Sequence, residues 1–401
     1  MVILLSTVLV AAAPSSIAFA AAQPGKSHSA GKDSATSPWA MVNSPERARA
    51  VAPSGITMTV VKKMASGTRI TQAEVLPANA KAPADEYLIP VNAKAAAGIS
   101  DLYEGFRVRP NGWSDVASLT FSFSKPVRNP RLHVAGTGGA SADKSGNRED
   151  YWPGLRMAQG GAGSPTFTKV AGFPGFEVSP RVIAPAAVGP EQETTCGVVY
   201  MCGTAQVNGM ISSFTLDLLA RNVRRGLPAG DPFVWGVFRV TFEEDASDAP
   251  ASYGAATHSI SALSIGADVT ADIPNTISFT PRGVPADVDD GAADVLPEGT
   301  LRAQQGHQIR MPVPMRSASA AVLAGWIDFN GDGAFQPSER ASVSAPAGSS
   351  RPVLTWTTPR AVKYGTSWVR LRAAATPETL ATPSGWAATG EVEDYRVTLG
   401  R

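Results

Sequence analysis

Charge is scarce in this sequence. Asp, Glu, Lys and Arg make up 17% of its 401 residues and cancel to a formal net charge of +1. No long-range field of one sign exists to steer the chain, which speaks against nucleic acid and other polyanions as partners. Cysteine is rarer still, at two, and the four histidines (His28, His133, His258, His307) are scattered. Structural zinc needs such ligands grouped, so this distribution argues against it. Beyond the N-terminus no apolar run approaches the roughly 20 residues that span a bilayer, so membrane insertion is not expected. G-x-S-x-G, H-E-x-x-H, the P-loop and the dinucleotide fingerprint are all missing. The reactions those motifs carry therefore find no support. Glycosidases have no universal signature, and a secreted carbohydrate-active hydrolase stays open as an alternative.

Glycine and proline, by contrast, number 38 and 32 and fall between short apolar runs. That pattern favours many strands joined by turns, an all-β chain. Residues 1–20 carry an apolar stretch followed by Ala18-Phe19-Ala20, which reads as a signal peptide cleaved near Ala21. Residues 21–45 are small, polar and unpatterned, as a flexible leader would be. From 46 to 245, runs near 56–61, 119–123, 131–134, 211–219 and 233–242 alternate apolar and polar residues, as half-buried antiparallel strands do. A jelly-roll or lectin-like sandwich is the expected architecture. A linker is expected over 246–299. Residues 300–401 show further strands near 309–315, 321–329, 353–356, 368–373 and 391–399, about as many as an immunoglobulin-like sandwich needs. In an exported chain Cys196 and Cys202 are expected to form a small-loop disulfide. The chain stops at Arg401 without a hydrophobic tail or sorting signal, so a secreted location is expected, with any retention at the surface non-covalent.

Two stretches carry family resemblances. Gly325-Trp326-Ile327-Asp328-Phe329-Asn330-Gly331-Asp332-Gly333 and Gly390-Glu391-Val392-Glu393-Asp394-Tyr395 look like the GEVED domain of secreted bacterial proteins. Residues 121–136 (Phe121-Ser122-Phe123-Ser124-Lys125-Pro126 onward), with 248–254, resemble the lectin-like non-repetitive domain of CshA-type fibrillar adhesins. The resemblance implies a binding protein for extracellular glycans or glycoproteins of host matrix or neighbouring cells, with fibronectin a partner in that family. The long fibril repeats and cell-wall anchor of that family are missing. A purely structural envelope protein is the third reading.

The strongest chemical signal is Asp328-x-Asn330-x-Asp332-Gly333 ending at Glu339. It sets oxygen ligands at calcium-loop spacing: Asp328, Asn330, Asp332, the Ala334 carbonyl, Gln336 and Glu339. The strand before it and Pro337 after it point to a calcium hairpin rather than an EF-hand. A plain polar turn would leave the same trace. Arg370 and Arg372 share one strand face, and Glu391 and Glu393 share another. A cross-strand ion-pair ladder between them is expected. A metal contribution from Glu391 or Asp394, or a glycosidase pair of Glu391 and Glu393 about 7 Å apart, are the alternatives. For ligand recognition the candidate is a long loop over 136–163 carrying Arg148, Asp150, Tyr151 and Trp152, whose rings could offer rigid contact area. The competing reading is that Trp152 and Pro153 fold back to cover the edge of the core.

Overall fold

The computed structural model describes residues 39–42, 44–51, 56–76, 98–138, 140–158, 164–187, 201–227, 231–242, 244–266, 296 and 299–401. The expected signal peptide, most of the leader, Cys196 and residues 267–295 lie outside the described residues. The chain is all-β, with no helix of seven or more residues among those described. Every run expected as a strand overlaps one. Thr57–Met64 shows why: Met58, Val60 and Lys62 point inward while Val61 and Lys63 face out, the period-two pattern of a half-buried strand.

Two sheets build the N-terminal sandwich. The first runs, in spatial order, Trp39–Met41, Arg47–Val51, Thr57–Met64, Trp113–Arg128, Met210–Arg225, Arg148–Met157, Val182–Pro185 and Phe176–Val178, with Ala140–Ala142 also paired to Arg148–Met157. The second runs Thr166–Gly172, Met201–Asn208, Arg131–Gly138, Phe233–Thr241, Gly98–Glu104 and Arg69–Leu76. Their inner faces share one core. Phe121 stacks on Phe214 with ring centroids 4.8 Å apart, and Phe123 meets Phe242 edge-on. Inside this apolar layer Lys62 of the first sheet reaches Asp101 of the second, Nζ to Oδ1 at 2.6 Å, with both side chains fully buried. Burial pushes the Asp101 carboxyl up, against the pull of the Lys62 charge.

The C-terminal sandwich sets a five-stranded sheet against shorter pieces. Its order is Thr300–Arg302, Glu391–Gly400, Gly365–Ala374, Ala321–Ile327 and Arg340–Ala345, the first pair parallel and the rest antiparallel. Gln308–Pro312 pairs with Val353–Thr357 across the core. Ile309, Met311, Leu354 and Trp356 pack there against Leu323, Ile327, Leu371 and Val397.

Two expectations fail here. The loop expected over 136–163 contains the strand Arg148–Met157, which lies inside the first sheet. Pro153 is tolerated because, among the described residues, nothing pairs with one edge of this strand at that point: Ala140–Ala142 covers 148–150, and Val182 and Ile183 cover 155–156. A missing N–H costs least there. Nor is the stretch over 246–299 a free linker where it is described. Glu244–Ala246 pairs with Ala256–Ser259, which runs parallel to Gly385–Ala387, and Ser264–Ile265 pairs with Met315–Arg316. Residues 244–266 form a strap on the C-terminal sandwich. No helix among the described residues is long and apolar enough to cross a membrane.

Candidate functional site

The five-stranded sheet turns one face to the apolar core and the other to the strap. Alternation puts Leu371 and Ala373 on the core side and Arg370 and Arg372 on the strap side, both arginines fully buried. Register then decides their partners: Arg370 stands opposite Asp394, and Arg372 opposite Val392. Arg370 donates from Nε and Nη2 to the two oxygens of Asp394 at 2.7 and 2.8 Å. Its Nη1 donates to the Gly254 and Pro383 carbonyls. Arg372 donates from Nε to His258 Nε2 at 3.0 Å and from its terminal nitrogens to the carbonyls of Thr382, Ser384 and Gly385. The expected ladder from Arg370 and Arg372 to Glu391 and Glu393 is thus corrected. The register places the arginines and the two glutamates on opposite faces, and Asp394 takes the pairing role.

The strap supplies what the arginines and the motif leave open. His258 donates Nδ1–H to the Thr389 carbonyl, so its bare Nε2 can accept from Arg372. Burial, then the Arg372 charge, lowers the imidazole pKa to about 3, and His258 is neutral at ordinary pH. Burial and the neighbouring Arg370 lower Arg372 to about 10, which leaves it charged. Each residue from Gly390 to Asp394 has a structural task. Gly390 has φ +87°, and a Cβ there would sit 1.8 Å from the Ala373 carbonyl oxygen, so only glycine fits. Its N–H donates to Ser261 Oγ. Glu391 accepts from Ile265 N–H, Val392 N–H donates to Asp245, Glu393 accepts from the Tyr395 hydroxyl, and Asp394 also accepts from Ala249 N–H. The motif is a clamp on the strap.

The acidic loop lies beside this clamp. It joins the antiparallel strands Ala321–Ile327 and Arg340–Ala345, and its exit is the single 3-10 turn Pro337–Glu339. Asp328 is fully buried and accepts four hydrogen bonds: from the N–H groups of Gly331 and Asp332 on one oxygen, and from Gly333 N–H and the Tyr253 hydroxyl on the other. Gly333 takes φ +83°, the left-handed turn the loop needs at that point. Glu339 accepts from the N–H groups of Phe329, Asn330 and Gln336. Asp332 is exposed and accepts from Ala334 N–H and from the side-chain amides of Asn330 and Gln336. The site is electronegative. Burial first and the Asp328 charge last push Glu339 up, and burial, the Asp328 hydrogen bond and the charges of Asp328, Asp332 and Glu339 push the Tyr253 phenol up. The ligand types suit calcium. Among the described residues, however, no three His, Cys, Asp or Glu side chains stand together as a ready-made metal group.

The residues expected to recognise a ligand lie elsewhere than expected. Arg148, Asp150, Tyr151 and Trp152 belong to the strand Arg148–Met157, and Tyr151 and Trp152 are only 1% and 3% exposed. Tyr151 packs edge-on to Phe106 and donates to Glu149. Arg148 pairs with Asp150 at 2.8 Å. These aromatics serve the core: their strand packs against Arg131–Gly138 and Phe233–Thr241 of the second sheet, and both rings lie in the buried apolar cluster. Among the described residues there is no free cysteine: Cys202 is buried on Met201–Asn208. Its expected partner Cys196 lies outside the described residues, so the bridge is a proposal. Sequence reasoning missed Asp245, Tyr253, His258 and Ser261. Tyr253 lies in the stretch 248–254 that carries a resemblance, and His258 in the short run Ala256-Thr257-His258-Ser259, too brief to mark a strand; Asp245 and Ser261 leave no trace.

A search of the curated proteins gives no match. Residues 322–398, which hold both the clamp and the acidic loop, match the GEVED domain family.

Proposed function

We propose that this chain is an exported, adhesin-like binding protein related to the CshA type. Its N-terminal sandwich recognises a glycan or glycoprotein of host matrix or neighbouring cells, of the fibronectin kind by family resemblance. Its C-terminal domain is a rigid, calcium-stabilised spacer. The observation that carries this reading is the clamp. A general acid must come within hydrogen-bond reach of a glycosidic oxygen. Glu391 and Glu393 are buried and already accept from Ile265 and Tyr395, which supports a structural role for this pair over a hydrolytic one. Secretion with cleavage near Ala21 and the Cys196–Cys202 bridge belong to the same proposal.

Calcium would be held by Asp328, Asn330, Asp332, the Ala334 carbonyl, Gln336 and Glu339, a set of hard oxygens with three carboxylates. The electronegative field on Tyr253 and Glu339 supports it. Asp328 already accepts four hydrogen bonds, as many as a carboxylate has sites for. The Tyr253 hydroxyl and the amides on Asp332 are the groups that would give way. A glycan and matrix-protein array with the secreted full chain tests the binding reading. Release of reducing sugar from host or cell-wall polysaccharide, without retention on the array, would overturn it in favour of the hydrolase.

A further inference from the structure

A cleft of about 290 Å³ opens where the strap crosses the end of the N-terminal sandwich. The sandwich contributes Arg128, Asn129, Arg131, Gln206 and Phe242, and the strap contributes Ser261. We propose that this cleft binds a single acidic sugar residue, a uronic or sialic acid unit of a larger glycan. The inference rests on the binding role proposed above and names its ligand class.

The polar inventory of the cleft makes the case. Arg128 is exposed, and its guanidinium has no ion-pair or hydrogen-bond partner among the described residues. Arg131 also lines the cleft, and among the described residues no carboxylate does. Guanidinium groups match carboxylates through paired N–H donors, at short range and without need of a net charge on the protein. The remaining groups suit hydroxyls. Asn129 spends its Oδ1 on Gly209 N–H, which leaves its amide N–H groups to donate. Ser261 Oγ already accepts from the N–H groups of Gly390 and Leu263, which leaves its O–H to donate. Gln206 spends its Nε2 on Asn208 and presents its Oε1 as an acceptor. A bare anion would use Arg128 and leave Gln206 idle, whereas a sugar acid brings both the carboxylate and the hydroxyls. A volume at the low end of the ordinary range for small-ligand pockets, about 300 Å³, holds one such unit. Ser261 is held in place by Gly390, so the clamp completes the site.

Saturation-transfer NMR on the full secreted chain tests this with four probes: N-acetylneuraminic acid, glucuronic acid, its methyl ester, and acetate. Both acids should bind, and the neutral methyl ester should bind at least about tenfold more weakly, the value of a hydrogen bond to a charged group. Arg128→Gln, on the surface and outside the core, should lose a similar factor, and Arg128→Lys should recover part of it. Equal binding by the ester, or by Arg128→Gln, overturns the cleft assignment and leaves the adhesin reading standing. Acetate binding as tightly as the sugar acids overturns the sugar class. A chain that retains none of these probes and nothing on the glycan and matrix array loses both proposals.

Discussion

Replacing Asp394 with alanine removes a carboxylate that accepts from Arg370 Nε, Arg370 Nη2 and Ala249 N–H at 2.7, 2.8 and 2.8 Å. Arg370 keeps its carbonyl partners Gly254 and Pro383. Its charge is left uncompensated at complete burial. Breaking a buried pair in this way costs about 3–5 kcal/mol, because the surviving charge cannot reach water. The Ala249 N–H, nearer the surface, adds less. A contrasting pair is available: Arg148 with Asp150, whose arginine side chain is 42% exposed. Asp150→Ala should cost less, because the Arg148 charge it leaves behind can reach water although Asp150 itself is only 5% exposed. Urea unfolding of the full chain, followed by tryptophan fluorescence, measures both. The double variant Arg370→Met with Asp394→Leu removes both charges and should be more stable than Asp394→Ala alone, since apolar groups can replace a buried pair at little cost. An Asp394→Ala loss no larger than that of Asp150→Ala would refute the clamp, as would a double variant as unstable as the sum of its parts.

Three further expectations follow from the same geometry. His258 has a folded pKa of about 3 against roughly 6.5 unfolded. The unfolded chain therefore binds the extra proton between those values, and the stability from neutral His258 is present above about pH 6.5 and lost as pH falls towards 3. The stability difference between the native chain and His258→Gln should shrink by up to about 4 kcal/mol from pH 7 to 3. Asp101 and Glu339, both pushed up, act with the opposite sign but cancel in that difference. Calcium at about 100 times its dissociation constant should stabilise the protein by about 2.7 kcal/mol. Asp332→Ala should abolish this gain, and calorimetry on the folded full chain with no calcium uptake would reduce the loop to an ordinary turn. Titration of unreduced, unfolded protein should find no free thiol, and two reactive thiols would exclude the Cys196–Cys202 bridge.

The sequence by itself determined which runs become strands. Period-two burial is a local property, and Thr57–Met64, Gln308–Pro312 and Val353–Thr357 show it within their own residues. It also determined the turn chemistry of the acidic loop and marked the GEVED motif as special. What it left open was partnership between distant segments. Alternation placed Arg370 and Glu393 on strand faces, yet only the register of their two strands says that Arg370 meets Asp394, 24 residues on, while Glu393 faces the other way. Tyr151 and Trp152 could have covered a core or offered a surface. The second sheet, packed over Arg148–Met157, decided for the core. The strap was hidden for the same reason. Residues 244–266 carry little apolar patterning of their own, because their stability comes from polar groups satisfied by arginines and carboxylates more than 100 residues away. Such contacts exist only once the tertiary structure has brought both ends together.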